Sequence, residues 1–170
     1  HMDSLSIAGF VTGNVVFARN ALSVVVPLDN PANIESFSDL PRAQRLVVGT
    51  DSVPIGRYAQ QVLSKAEAEY KTEFVRSIQR SVVSKENNAR LVRAKVALGE
   101  ADAAIVYRTD AVSTDQVKQV AIPSALNVRA EYRQAVLSMA NNPGWARDWL
   151  DYVDSPEGRA ILKQHGFEVD

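Results

Sequence analysis

"RLVVGTDSVPIGRYAQ", residues Arg45–Gln60, decides the fold class of this chain. Its first six residues, Arg45–Thr50, form a short apolar run that is typical of a buried strand. Pro54 then stands where a helix would begin, and apolar residues recur after it at helical spacing. A strand that turns directly into a helix is the repeating unit of α/β proteins, whose sheets are parallel or mixed.

The same alternation of strands and helices continues on both sides of this unit. Further strands are predicted at Asn20–Leu28, Ala103–Tyr107 and Val117–Pro123. Two helices are predicted from apolar faces, the first of Tyr58, Ala59, Val62, Leu63 and Ala66, the second of Tyr70, Phe74, Ile78 and Val82. A third helix is predicted from its cap, Asn87 or Asn88, and from Gly99 at its end. We therefore predict an α/β fold with a mixed sheet that carries helices on both faces.

The order of the predicted elements changes after Pro123. "EYRQAVLSMA" reads as one strand and is followed by two helices with Pro at their first position. The first of these is predicted to be capped by Asn142, and the second by Ser155 with Gly166 at its end. The change near Ala125–Glu131 fits either a domain crossing or an ordinary loop.

Composition excludes several functional classes. The chain has 170 residues, a formal net charge of -1 and no cysteine. A net charge this close to zero gives no electrostatic footprint for nucleic acid. The absence of cysteine excludes disulfides, thiolate metal sites and a cysteine nucleophile. No catalytic or metal motif is present; Arg108–Asp115 reads as a polar loop, and His165 stands where it would complement a helix end. We therefore predict that the protein is not an enzyme.

One edge of the predicted sheet is a candidate ligand site. Ligands of open α/β sheets bind beyond the carboxyl ends of the strands. If the strands are parallel, the helix start at Pro54, the helix start at Asn88–Ala89 and the Tyr107 hydroxyl share one edge. Such neutral donors suit a small ionised oxyanion, and Gly56 would let a ligand or the backbone approach closely. Every strand–helix unit has a helix start, however, so the turn is also compatible with a purely structural role.

Four segments carry a resemblance to a known family. They are "VVFARNALSVVVP", "VPIGRYAQQVL", "ENNARLVRAKVALGEADAAIVYRTDA" and "SPEGRAILKQHGF". In order and spacing, from about Leu5 to Phe167, the chain resembles the periplasmic molybdate-binding proteins of ABC transporters. The resemblance implies a class II periplasmic-binding-protein fold, whose two lobes close on molybdate or tungstate. It also implies that no cofactor and no metal cation are bound.

The resemblance assigns binding roles residue by residue. It implies that the backbone N–H groups of Ile55 and Ala89 and the hydroxyl of Tyr107 bind the oxyanion, with Pro54, Gly56 and Asn88 in support. Many family members have a small residue at the position of Ile55, so we expect its larger side chain to narrow the pocket slightly. Many have Val at Ala89 and Gly at Ala104, and these are mild departures.

The resemblance also implies a division into lobes. Residues 1–20 would be a remnant of the first lobe with the crossing strand, 21–125 a nearly complete second lobe, and 126–170 the return crossing with the C-terminal helices of the first lobe. The serine-bearing loops of the family would precede this chain. We therefore expect an N-terminally truncated chain that encodes half of the oxyanion site and binds molybdate weakly or not at all as a monomer.

Partners and location follow from the same resemblance. It implies an ABC transporter membrane permease as partner and a periplasmic or extracytoplasmic location, although the chain holds no signal segment. The truncation would leave an apolar surface without its partner, which favours a homo-oligomer or a domain-swapped dimer. This surface comprises Trp145, Trp149, Val153, Ile161 and Leu162. Two alternatives stay open: a ligand-free interaction module of the same fold, and the co-inducer-sensing domain of a regulator.

Overall fold

The computed structural model describes residues 2–169 of the chain. The elements, in chain order, are α1 (Met2–Ile7), β1 (Val11–Pro27), a 3₁₀ helix (Phe37–Arg42), β2 (Leu46–Gly49), α2 (Pro54–Arg80), β3 (Val82–Glu86), α3 (Ala89–Ala97), β4 (Ala103–Tyr107), α4 (Arg108–Val112), β5 (Val117–Ala121), β6 (Arg129–Leu137), α5 (Pro143–Asp154) and α6 (Pro156–Gln164). The predicted α/β fold class is confirmed.

The chain forms two compact units. We call Ala21–Arg129 the central unit. The residues up to Asn20, together with those from Ala130 onward, are called the terminal unit. The candidate ligand-binding residues all belong to the central unit.

The central unit contains a mixed sheet with the strand order β3-β2-β4-β1-β5. β2 runs parallel to both of its neighbours, with Leu46 opposite Val82 of β3 and Ala103 of β4. β1 is antiparallel to β4 and β5, and its Leu22 lies opposite Tyr107. The carboxyl ends of β3, β2 and β4 therefore meet at one edge of the sheet.

Helices cover both faces of this sheet, as the sequence predicts. One core cluster joins α2 to the strand residues that point to its face: Val24, Val26, Leu46, Val48, Ala103 and Ile105. A second cluster joins α3 to residues that alternate with these along the strands: Val25, Val47, Ala104 and Val106. Successive side chains of a strand point to opposite faces, so strands covered on both sides read as continuous apolar runs.

Asp102 joins the amino ends of β2 and β4. Its Oδ2 accepts the backbone N–H groups of Gln44 and Arg45 at 3.0 and 2.9 Å, and its Oδ1 accepts Nη2 of Arg45 at 2.7 Å. Burial acts to raise the pKa of Asp102, but these hydrogen bonds and the Arg45 charge outweigh it and hold the pKa below its ordinary value. The carboxylate thus stays ionised and fixes the end of the sheet opposite the candidate site.

The two helices expected between Pro54 and Val82 are present as two helical segments, numbered together as α2, which meet at a kink where Lys71 has non-helical torsions (φ 71°, ψ 166°). Two details of the central unit differ from the sequence-based prediction. Val82 is not on a helix, because it is the first residue of β3. The expected loop at Arg108–Asp115 begins instead with the short helix α4.

The terminal unit contains β6 and the two C-terminal helices. β6 pairs with β1, which begins at Val11 and not at Asn20 as predicted, and Arg19 forms an antiparallel bridge with Glu168. Ser155 caps α6 as predicted by accepting the N–H of Gly158. Asn142 occupies the cap position of α5, but its side chain makes no capping hydrogen bond. No helix within residues 2–169 is long and apolar enough to cross a membrane.

Candidate functional site

The start of α2 lies immediately beyond the end of β2. Val53 occupies the cap position and has no side-chain oxygen, so the first N–H groups of α2 receive no side-chain cap. The preceding turn is held by Arg57, whose Nη1 donates to the carbonyl of Ser52 at 2.8 Å. The N–H of Thr50 donates to the carbonyl of Glu86 at 2.9 Å, which ties the turn to the end of β3. The helix start is therefore fixed in place while its leading donors point beyond the sheet edge.

Gly56 is required by backbone packing. A Cβ at Gly56 would lie 2.6 Å from the carbonyl oxygen of Gly49 and closer still to that of Thr50. A Cβ at Gly49 would in turn lie 2.7 Å from the backbone nitrogen of Gly56. Of the two roles that the sequence leaves open for Gly56, close approach of the backbone is the one observed.

Ile55 directs its side chain into the protein. The residue is 2% exposed, and it belongs to the core cluster beneath α2. The side chain thus packs in the core, contrary to the expectation that it would narrow the pocket. As the second residue of α2, Ile55 has an N–H group without an intrahelical acceptor.

α3 begins at Ala89, directly after β3. The Asn88 side chain caps this helix by accepting the N–H of Leu91 at 2.9 Å, so Asn88 and not Asn87 is the cap. The donor of this hydrogen bond is Leu91, two residues beyond Ala89, so the N–H of Ala89 takes no part in the cap. Ala89 is half-buried at the edge of the core.

Tyr107 is the last residue of β4 and is half-buried. Its ring meets the ring of Tyr58 edge-to-face, with 6.2 Å between centroids and an angle of 70° between planes. Leu22 of β1 lies opposite Tyr107, and the Asn127 side chain binds both backbone groups of Leu22. Asn127 accepts the Leu22 N–H at 3.0 Å and donates to the Leu22 carbonyl at 2.9 Å. The sequence pattern gives no sign of this role of Asn127, and it places Tyr58 only on a helix face.

The topology brings the predicted donors to one edge. Ala89, Ile55 and Tyr107 follow or end the adjacent strands β3, β2 and β4, which are parallel. The condition set by the sequence analysis, that these strands be parallel, is met. Each helix start contributes roughly half a positive charge, and all the proposed donors are uncharged. Such an arrangement can hold an anion without itself carrying a formal charge.

Several charged side chains near this edge take part in polar contacts. Lys85 Nζ lies 3.0 Å from Asp51 Oδ1 at the exposed end of β3. Arg93 of α3 donates to the carbonyl of Asp110 at 3.1 Å and so ties α3 to α4. Burial raises the pKa of the Asp110 carboxyl, and the charges of Arg93 and Arg90 oppose this only in part. Within residues 2–169, no group of His, Cys, Asp and Glu could hold a metal ion.

A family model described as bacterial extracellular solute-binding protein matches residues 1–168, and the chain belongs to that family. This membership defines the class of protein, a solute-binding protein. The resemblance noted from the sequence is thereby confirmed.

Individual relatives agree with this assignment. The chain is 36% identical over 169 residues to the molybdate-binding protein ModA of Mycobacterium tuberculosis, an alignment covering 98% of this chain and 61% of that protein. It therefore spans about 61% of the length of the curated relatives that it matches first.

Two solved structures share the fold. The substrate-binding domain of a putative molybdenum ABC transporter from Clostridium difficile superposes with a TM-score of 0.82 at 22% identity, covering 99% of this chain and 72% of that one. The periplasmic molybdate-binding protein of Azotobacter vinelandii gives 0.76 at 16% identity, covering 99% and 74%.

Proposed function

We propose that this chain binds a tetrahedral oxyanion, molybdate or tungstate, as the solute-binding component of an ABC importer. The names of the ModA relative and of the Clostridium difficile domain support the ligand and the transport role. The observation that carries the proposal is the parallel arrangement of β3, β2 and β4, because it gathers two helix starts and a tyrosine at one edge.

The chemistry of these groups suits a dianion that stays fully ionised. The proposed donors are the N–H groups of Ile55 and Ala89 and the hydroxyl of Tyr107, with Pro54, Gly56 and Asn88 shaping the two helix starts. A hydrogen bond to a charged group contributes about 1.5–3 kcal/mol. Three such bonds leave part of a tetrahedral dianion hydrated, so we expect this chain to bind it weakly.

Heteronuclear amide NMR is the appropriate test because it detects weak binding and locates it. Molybdate, tungstate, sulfate and phosphate are titrated separately into the full chain. We expect saturable shifts that are largest at the amides of Ile55 and Ala89, and larger for molybdate and tungstate than for the other two anions. Shifts that do not saturate, or that centre on the terminal unit, contradict the proposal and favour a ligand-free interaction module.

Removing one hydroxyl tests the third donor. Tyr107→Phe keeps the ring but loses the O–H, so we expect about tenfold weaker binding, the equivalent of one hydrogen bond to a charged acceptor. Tyr152→Phe removes a hydroxyl from an exposed tyrosine of the terminal unit and serves as the matched control. Equal affinities of the two variants would exclude Tyr107 as a donor.

The wider role of the protein follows from its class. Family and relatives indicate a transport-binding role and not catalysis. We propose a membrane permease as the partner and a periplasmic or otherwise extracytoplasmic location. Self-association stays a prediction: Trp145 and Trp149 are 75% and 63% exposed, and light scattering at micromolar concentrations tests whether this apolar surface joins copies of the chain.

A further inference from the structure

Tyr58 is the aromatic neighbour of the proposed tyrosine donor. It lies in the second turn of α2, whereas Tyr107 ends β4, and the two rings meet edge-to-face. Both residues are half-buried, and both pack against the same core cluster. This contact therefore joins the helix start to the end of the neighbouring strand.

The position of Tyr58 along α2 relates it to the proposed backbone donor. Tyr58 is three residues beyond Ile55, and residues at this spacing are neighbours on one helix face. Ile55 and Ala59, which are 2% exposed, fix this part of α2 in the core. The Tyr58 ring is thus held in a defined place relative to the N–H of Ile55.

The contact with Tyr58 acts on the side chain of Tyr107. Strand pairing with Leu22 fixes its backbone, but the direction of the hydroxyl depends on the side-chain torsions. Edge-to-face packing prefers a defined ring geometry and therefore restricts those torsions.

We propose that Tyr58 is a positioning residue that sets the direction of the Tyr107 hydroxyl relative to the N–H of Ile55. This inference rests on the proposed function, since it concerns the same oxyanion site. Tyr58 acts through its ring and is not itself a ligand. Removing the ring should lower oxyanion affinity even though every proposed donor remains.

The first experiment compares ring removal with ring retention. Molybdate affinity is measured by amide NMR titration of the full chain for Tyr58→Leu and Tyr58→Phe. We expect about three- to tenfold weaker binding for Tyr58→Leu, the range for loss of an aromatic pair, and near-wild-type binding for Tyr58→Phe. Tyr58→Met serves as a second variant without a ring, so that a folding defect of one substitution leaves the comparison intact.

A matched control separates positioning from general packing. Tyr70 lies on the same helix, packs against the same core and stacks on Phe74 with ring centroids 4.6 Å apart. Tyr70→Leu removes a comparable aromatic contact away from the sheet edge. We expect it to lower the unfolding temperature about as much as Tyr58→Leu while leaving molybdate affinity unchanged.

A double-mutant cycle tests whether Tyr58 acts through the Tyr107 hydroxyl. In the Tyr107→Phe background no hydroxyl remains to be directed, so adding Tyr58→Leu should weaken binding no further. Full additivity of the two substitutions would overturn the inference, as would equal losses for Tyr58→Phe and Tyr58→Leu.

The outcomes distinguish this inference from the proposed function. If wild-type protein binds, Tyr107→Phe weakens binding and Tyr58→Leu does not, the positioning role fails while the proposed function stands. If the wild-type chain gives no saturable shifts at Ile55 and Ala89, the proposed function fails and the positioning role fails with it.

Discussion

Replacing Gly56 with alanine should loosen the start of α2. The new methyl group would lie 2.6 Å from the Gly49 carbonyl oxygen and closer to that of Thr50, and both are backbone atoms. Thr50 is itself fixed by its hydrogen bond to Glu86, so the strand cannot yield easily and the helix start must move. Overpacking of this kind costs up to about 3 kcal/mol. Alanine returns about 1 kcal/mol through its helix propensity, and the net loss should be about 2 kcal/mol.

Thermal unfolding followed by circular dichroism measures this loss. At about 2–4 °C per kcal/mol for a chain of this size, the unfolding temperature should fall by about 4–8 °C. Gly144→Ala is the matched control, because it adds the same methyl group to the first turn of α5, where nothing lies within 4 Å. It should be neutral or slightly stabilising. An unfolding temperature of Gly56→Ala at or above that of the wild type would refute the reasoning.

Three further substitutions test other parts of the structure. Asp102→Ala leaves two backbone N–H groups and Arg45 without their acceptor, and should lower the free energy of unfolding by about 3 kcal/mol in urea. Because the pKa of Asp102 is depressed in the folded state, its contribution is present above the ordinary value of 3.8 and is lost as the pH falls below it, so the variant and the wild type should converge in acid. Lys71→Gly relieves a backbone conformation that only glycine adopts readily, and should raise the urea midpoint by the equivalent of about 1 kcal/mol; a lower midpoint would contradict this. Asn88→Ala removes the cap of α3 and should cost about 1 kcal/mol, whereas Asn87→Ala should be neutral.

The sequence predicts the buried part of the fold well because burial leaves a strong pattern. β2 and β4 are almost wholly buried and read as continuous apolar runs, so both are located closely. β3 alternates between half-buried and exposed residues and follows a helix whose apolar spacing extends to Val82, so the pattern places the first residues of β3 on that helix and predicts no strand there. α4 has five residues, too few for a helical period to show.

The sequence also predicts one part of the candidate site and not another. Residue types at strand ends and helix starts indicate the edge where Ile55, Ala89 and Tyr107 lie, because topology alone fixes that edge once the strands are parallel. The direction of the Ile55 side chain and the contact between Tyr58 and Tyr107 depend on packing between distant segments. Local sequence patterns contain no information on such contacts.

The exposure of α5 has a spectroscopic consequence. Both tryptophans of the chain, Trp145 and Trp149, lie on this helix and are largely exposed to solvent. The intrinsic tryptophan emission of the protein should therefore be red-shifted, and it reports on α5 and not on the central unit, which has no tryptophan. Tyrosine is the natural fluorophore of the central unit. An unchanged tryptophan signal on adding an oxyanion would thus say nothing about occupancy of the candidate site.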